Sequence, residues 1–252
     1  MKIDYISDLH MDFHVRTNSN EEKYKYNTLK FLSELLPEKV GEVLVIAGDL
    51  SHYNRQSYWI LEYFSDLYDK VFYCLGNHDY YLISGEQEKK YNRNSMNREM
   101  ELFGMASSLR NVRFLYDFMT HEYNGVTFAG DTNWYPLTEF KDRNFFNATS
   151  NDSRLIKRMD IGKLNYFAIE QYDKLKPVDV LVTHVPTIVI DSHIKYGGTS
   201  CYLNELEPKA KYNIFGHCHE SNEYIKGDYK FYINALGYPD ECKGVKIKSF
   251  DI

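Results

Sequence analysis

The chain has 252 residues, with 43% hydrophobic and 26% charged side chains. That length sustains a full core without disulfide staples, so a single domain over residues 1–252 is expected. Thirty Lys plus Arg against 36 Asp plus Glu give −6, which argues against a protein held on nucleic acid by general electrostatics, and no apolar run approaches the roughly 18 residues of a membrane span.

In chain order, Lys2–Ile6 reads as a short strand that breaks into Ser7-Asp8-Leu9-His10. Leu29, Leu32, Leu35 and Leu36 recur at helical spacing from Glu21, and Pro37 ends the pattern. Val43–Ala47 is a continuous apolar strand, of the kind buried on both faces, and ends in Gly48-Asp49. A helix over Gln56–Leu67 leads to a strand at Val71–Leu75, which ends in Gly76-Asn77-His78-Asp79.

A polar helical stretch over Glu86–Leu109 precedes strands at Val112–Leu115 and Val126–Ala129, the second closing on Gly130-Asp131. One helix over Ser153–Leu175 then leads to Val178–Val182, ending in Thr183-His184. Tyr212–Phe215 ends in Gly216-His217-Cys218-His219. Glu223–Ile225 and Lys230–Ile233 form a hairpin through Gly227-Asp228, and Val245–Phe250 alternates as an edge strand.

Strands alternating with helices imply mixed or parallel sheets with helices packed outside, and such sheets bind ligands beyond the carboxyl ends of their strands. Five strands here deliver Asp, Asn or His at that edge, often after a glycine that allows a sharp turn. Each motif alone is weak: Asp8-Leu9-His10 occurs by chance, and an aspartate after a strand is commonly a turn residue. His184 alone reads equally as a hydrogen-bonded core histidine. Together, D-x-H, G-D, G-N-H-D, T-H and G-H-x-H, each on its own strand end, are not what core packing produces.

In that order the blocks resemble the calcineurin-like metallophosphoesterases, over Asp8 to His219. Ser7-Asp8-Leu9-His10, Gly130-Asp131-Thr132-Asn133-Trp134 and Asn151-Asp152-Ser153-Arg154-Leu155-Ile156 are similar to a bacterial and phage branch of phosphohydrolases. The resemblance implies a four-layer α/β sandwich with two mixed sheets. It also implies two divalent ions, one held by Asp8, His10, Asp49 and His219, the other by Asp49, Asn77, His184 and His217. Imidazole and carboxylate donors suit Mn, Fe or Zn rather than Ca or Mg. Cys218 then points away from the ions, as alternate residues on an extended segment do.

Such a pair, roughly 3.5–4 Å apart, clamps a phosphate and supplies a bridging hydroxide for in-line attack. Asp49 bridges, and His78 is the candidate to contact the phosphate and protonate the leaving oxygen. One departure stands out. The protein phosphatase branch continues G-D with x-x-D-R-G, whose second aspartate holds the histidine equivalent to His78, whereas this chain has Leu50-Ser51-His52. The protein phosphatase reading loses support, and the orientation of His78 is left open.

The remaining candidates have plainer readings. His14 and His52 are read as surface or capping residues rather than pocket residues, and His121 and His193 as structural or exposed. Arg154 and Lys157 are read as a solvated helix face. Trp134 is placed beside the pocket, stacking on a base or simply packing. Lys89, Lys90, Arg93 and Arg98 are largely offset by Glu86, Glu88, Glu99 and Glu101.

The expectation is therefore a metal-dependent phosphatase or phosphodiesterase acting on a small phosphate ester. A metal-dependent nuclease, with nucleic acid as substrate only, and a catalytically silent metal-binding scaffold of the same fold are the alternatives. Cys74, Cys201, Cys218 and Cys242 form no CxxC pair, and no secretory leader is recognisable, so a reduced, cytoplasmic protein is expected.

Overall fold

The computed structural model describes every residue except Gly197, Cys242 and Lys243, and leaves out the side chains of Lys195 and Tyr196. Along the chain run β1 (Lys2–Ile6), α1 (Met11–His14), α2 (Glu21–Leu35), β2 (Val43–Ala47), α3 (Asn54–Leu67) and β3 (Lys70–Cys74). A 3-10 turn (Asn77–Tyr80) leads to α4 (Gly85–Lys90), α5 (Ser95–Ala106), β4 (Val112–Leu115), β5 (His121–Tyr123) and β6 (Val126–Asp131). Then come α6 (Phe140–Thr149), α7 (Asn151–Leu155), α8 (Ile161–Lys174), β7 (Val178–Thr183) and α9 (Asp191–Tyr196). The chain ends with β8 (Ala210–Phe215), β9 (Ser221–Lys226), β10 (Tyr229–Asn234) and β11 (Lys248–Asp251).

Two mixed sheets result, ordered β11-β1-β2-β3-β4 and β5-β6-β7-β8-β10-β9. In the first, β11 is antiparallel to β1 and the other pairs are parallel. In the second, β5/β6 and β10/β9 are antiparallel and the rest parallel. Strand alternation explains the layering. Ile3, Val43, Val45 and Phe72 of the first sheet face Phe128, Val180, Val182 and Ile214 of the second in one cluster. The alternate residues Ile6, Leu44, Ile46 and Val71 face outward under α2, α3 and α5. On the far side, Ala129 and Leu181 pack under Ala168 and Tyr172 of α8. This is the expected four-layer sandwich.

Several elements differ from the sequence reading. The stretch expected as one helix over Glu86–Leu109 is α4 and α5, separated where Asn92 and Arg93 adopt φ of 53° and 52°. Ser153–Leu175 likewise splits into α7 and α8 around Arg158, at φ 57°. The hairpin forms as expected, but the edge strand is Lys248–Asp251. Ile247 instead donates its N–H to Leu35, so the chain crosses to α2 before it joins the sheet. β5, α1, α6 and α9 are short or weakly amphipathic and gave no periodic signal. Cys74, Cys201 and Cys218 are free thiols; Cys242 lies outside the described residues. No helix among the described residues is long and apolar enough to cross a membrane.

Candidate metal centre

The carboxyl ends of β1, β2, β3, β7 and β8 meet at one rim and carry all eight expected residues. The backbone there is unusual. Asp8, His10, Asp49, His217 and His219 have φ of 51°, 38°, 59°, 71° and 42°. Non-glycine residues rarely enter that region, and each costs about 1–3 kcal/mol unless its surroundings hold it. Here they do: Asp8 N–H donates to Gly48 O and His10 N–H to Asp49 O, both at 3.0 Å. Asp79 accepts from the N–H groups of Gly76 at 2.8 Å, Asp49 at 2.9 Å and Leu50 at 3.3 Å, fixing the loop that carries Asp49.

The glycines serve close approach as well as turning. Gly48 has φ +90°, and a Cβ there would sit 2.2 Å from His184 Nδ1. Gly76 lacks a positive φ, yet its Cβ would sit 2.1 Å from Asp49 Oδ1. The expected role as a turn residue therefore holds for Gly48, whereas Gly76 is needed because a carboxylate occupies the space of a side chain.

The inward atoms form two sets that share Asp49. In the first, His10 Nε2 lies 2.9 Å from His219 Nε2 and 3.6 Å from Asp49 Oδ2, and Asp8 Oδ1 lies 3.6 Å from His219 Nε2. In the second, His184 Nε2 lies 3.4 Å from Asp49 Oδ2, 2.9 Å from Asn77 Oδ1 and 3.2 Å from His217 Nδ1. Donors about 2.1 Å from a common ion stand roughly 3.0–3.4 Å apart in octahedral or tetrahedral geometry; the second set has close to that spacing, and the first, with two separations of 3.6 Å, is slightly wider. Asp49 Oδ1 accepts the His78 N–H at 2.8 Å, leaving Oδ2 turned to both sets.

Proton bookkeeping shows that these atoms fit a cation. His184 Nδ1 faces Ala47 O at 2.9 Å and His217 Nε2 faces Cys201 O at 2.8 Å, so those outer nitrogens carry the protons. Asn77 Nδ2 donates to Asp152 Oδ1 at 2.8 Å and Tyr81 Oη at 3.1 Å, turning its amide oxygen inward. Three lone-pair atoms then point at one another, an arrangement that a cation or an added proton must satisfy. In the metal-free protein the proton goes to His184. Burial alone would depress this imidazole, but the Asp49 carboxylate more than offsets that and holds it at about 10. His10 and His217 are pushed well down, chiefly by burial, and stay neutral donors.

His78 answers the question its sequence left open. His78 Nδ1 lies 2.9 Å from His52 Nε2, and His52 Nδ1 lies 2.8 Å from Asp12 Oδ2. His52 is therefore neither a surface nor a capping residue; it occupies the place of the missing aspartate, and Asp12 orients it. For Asp12, burial alone would raise the carboxyl, but hydrogen bonds and charge from His52 hold it below its ordinary value. Tyr81 stacks on His78 with ring centroids 4.2 Å apart. Burial and then His52 push His78 well down. His78 also stands with His10 and Asp49 in a group close enough to hold an ion.

The other candidates divide. His14 Nε2 reaches Gly237 O at 2.9 Å, a contact between distant parts of the chain rather than a surface or capping role. His193, buried, bonds Tyr202 O at 2.9 Å, and Cys218 Sγ turns to His193 Nε2 at 3.3 Å. Trp134 is buried against Tyr80 and is absent from the cavity wall. Arg98 does not belong to a basic surface: fully buried, it donates to the carbonyls of Ser51, His78 and Tyr81, tying the loops after β2 and β3 together. Lys90 and Arg93 pair with Glu101 and Glu88, and Lys157 with Glu88.

Sequence reasoning gave no role to Asp12, Asp79, Asp152, Tyr238 or Glu241. Asp152 is buried, accepts from Asn77 and from the hydroxyls of Tyr81 and Tyr135, and so decides which way the Asn77 amide faces. Glu241 Oε2 lies 2.6 Å from His219 Nδ1, leaving His219 Nε2 to face inward. Two signals were available: Asp79 and Asp152 both stand in motif blocks. Above the donor sets opens a cavity of about 760 Å³, walled by Phe145, Ser150, Tyr202, Tyr238 and Glu241, large enough for a phosphate and a sizeable attached group.

Comparison with known proteins agrees with this geometry. The chain matches the calcineurin-like phosphoesterase family over residues 1–221. It is 26% identical over 268 residues to the uncharacterised protein L509 of Acanthamoeba polyphaga mimivirus, covering 94% of this chain and 91% of that one. Among solved structures it resembles the phosphopantetheinyl hydrolase of Mycobacterium tuberculosis, with a TM-score of 0.63 and 18% identity, over 95% of this chain and 90% of that one. At that identity the likeness concerns the fold. The extent of the family match, on the fold that resemblance implied, makes this chain a member of the calcineurin-like phosphoesterases.

Proposed function

We propose that this protein is a dinuclear metal-dependent hydrolase of phosphate mono- or diesters. One ion is assigned to Asp8, His10, Asp49 and His219 and the other to Asp49, Asn77, His184 and His217, with Mn, Fe or Zn as the chemically suited metals. The observation that carries the reading is Asp49 Oδ2, 3.6 Å from His10 Nε2 and 3.4 Å from His184 Nε2, between two sets of lone pairs. When bound, such a pair of ions polarises the phosphate, activates a water near neutral pH and stabilises attacking and leaving oxygens.

The chain's own residues do the rest. Asp49 divides its two oxygens, one held by the His78 N–H and the other turned to both donor sets. His78, with Nδ1 committed to His52, presents Nε2 for the leaving oxygen. Burial and then His52 hold His78 well below its ordinary value in the absence of ions and substrate, so acting as the acid requires His78 to gain a proton when the anionic phosphate is bound beside it. The cavity wall takes the remainder of the ester. Among the described residues that wall includes no Lys or Arg.

The test is turnover of chromogenic mono- and diesters by the Mn²⁺-loaded chain. A phosphopantetheine diester belongs on the panel because a fold neighbour is a phosphopantetheinyl hydrolase. Turnover abolished by Asp49→Asn and by His217→Ala is expected. A folded protein with two metals per chain that hydrolyses nothing on the panel would leave the silent scaffold as the correct reading.

A further inference from the structure

Tyr238 belongs to none of the motif blocks, yet it is fixed over the first donor set. It follows β10 after Gly237, whose N–H donates to Asp8 O at 2.9 Å, while Leu236 N–H donates to Ser7 O at 3.0 Å. His14 Nε2 bonds the Gly237 carbonyl from the other side. Tyr238 N–H donates to Glu241 Oε2 at 2.8 Å, the same oxygen that faces His219 Nδ1. The segment is therefore tied both to the strand end that delivers Asp8 and to a partner of His219.

The ring lies 4.8 Å, centroid to centroid, from each of His10, His219 and Phe13, and 6.4 Å from His78. It lines the cavity on the side of the first donor set. Its backbone N–H is bonded, but among the described residues its hydroxyl makes no hydrogen bond. A hydroxyl on a residue of the cavity wall, with no protein acceptor among the described residues, matches an oxygen that arrives with the substrate.

Resting on the phosphoesterase reading above, we propose that the Tyr238 hydroxyl is a catalytic residue that donates a hydrogen bond to a non-esterified oxygen of the substrate phosphoryl group. It stands on the His10 and His219 side of the site, and its proposed acceptor is one of the three equatorial oxygens over which the transition state spreads its charge. A donor aimed at developing charge acts on turnover more than on ground-state binding.

The experiment compares the full Mn²⁺-loaded chain with Tyr238→Phe and Tyr238→Leu. Metals per chain, kcat and KM for a chromogenic ester, and calorimetric binding of inorganic phosphate and of vanadate, a five-coordinate mimic of the displacement, are measured. Tyr238→Phe keeps the ring and removes only the hydroxyl. The expected result is two metals per chain, phosphate affinity nearly unchanged, kcat lower by roughly 10- to 100-fold and vanadate affinity lower by about 10-fold. Wild-type kcat and vanadate affinity in Tyr238→Phe overturn the proposal, even where Tyr238→Leu is impaired, because the ring alone then matters. Metal loss in Tyr238→Phe overturns it too, by making the role structural. A wild type that holds two metals but neither binds phosphate nor turns over any ester fails as a phosphoesterase, and the Tyr238 role falls with it.

Discussion

His52 Nε2 faces His78 Nδ1 at 2.9 Å, so an imidazole stands where a related branch has a carboxylate. The substitution works because Asp12 accepts from both the ring and the backbone N–H of His52, at 2.8 and 3.0 Å. With its Nδ1 proton held there, His52 offers Nε2 as an acceptor, and His78 keeps its own proton on Nδ1. His52→Ala is expected to lower kcat by about 10- to 100-fold while two metals per chain and KM persist. His52→Gln, whose amide oxygen can accept from His78, is expected to recover part of that loss. Equal kcat in wild type and His52→Ala would remove the orienting role.

Asp152 acts one bond farther from the second donor set. It accepts one hydrogen bond from the Asn77 amide and one from each of two tyrosine hydroxyls, so its removal loosens the hold on that amide's orientation. Asp152→Ala is expected to weaken the second metal by about 10- to 100-fold and leave the first nearly unchanged. Metal titration followed by calorimetry reads this directly; two sites of wild-type affinity would refute it.

Gly48 cannot carry a side chain, for reasons of both conformation and space. A Cβ at φ +90° and 2.2 Å from His184 Nδ1 must displace a donor of the second set. Gly48→Ala is expected to lower stability by on the order of 3 kcal/mol and to lose the second metal. Thermal unfolding of the metal-free chain isolates the first effect.

Glu99 gives a pH-dependent prediction away from the metals. Burial raises its carboxyl from 4.5 to about 7, against a hydrogen bond from Tyr80 that opposes the shift. The folded state therefore binds the proton more tightly than the unfolded state. The stability that Glu99 contributes is therefore fully present below pH 4.5, falls as pH rises to about 7, and is lost above it. Glu99→Gln keeps an acceptor for Tyr80 and removes the charge. Its unfolding free energy is expected to match wild type near pH 4 and exceed it by on the order of 2 kcal/mol at pH 8, after allowance for partial exposure. A pH-independent difference would contradict the assignment.

The donors were legible in the sequence because each follows an apolar strand directly, and strand order brings those ends together. Their orienting partners were not. Asp12, Asp152 and Glu241 lie at helix starts or in turns, where a carboxylate has an ordinary capping or surface explanation. Tyr238 was hidden among 23 tyrosines. The helix breaks at Asn92-Arg93 and Arg158 were missed because non-glycine residues take positive φ there, without the Gly or Pro that marks a stop. Asn94 and Asp160, whose side chains cap α5 and α8, were the available signals. Pattern thus revealed what the strands deliver, while contacts between distant loops required the folded chain.

The most direct measurement is anomalous diffraction from crystals of the full chain grown with Mn²⁺. Two peaks roughly 3.5–4 Å apart, with Asp49 Oδ2 between them, are expected. One ring-nitrogen set, His10 and His219, should bound the first peak, and the other, His184 and His217, the second. A single peak, or two that do not share Asp49, in crystals saturated with the metal would contradict the dinuclear centre on which the proposed chemistry depends.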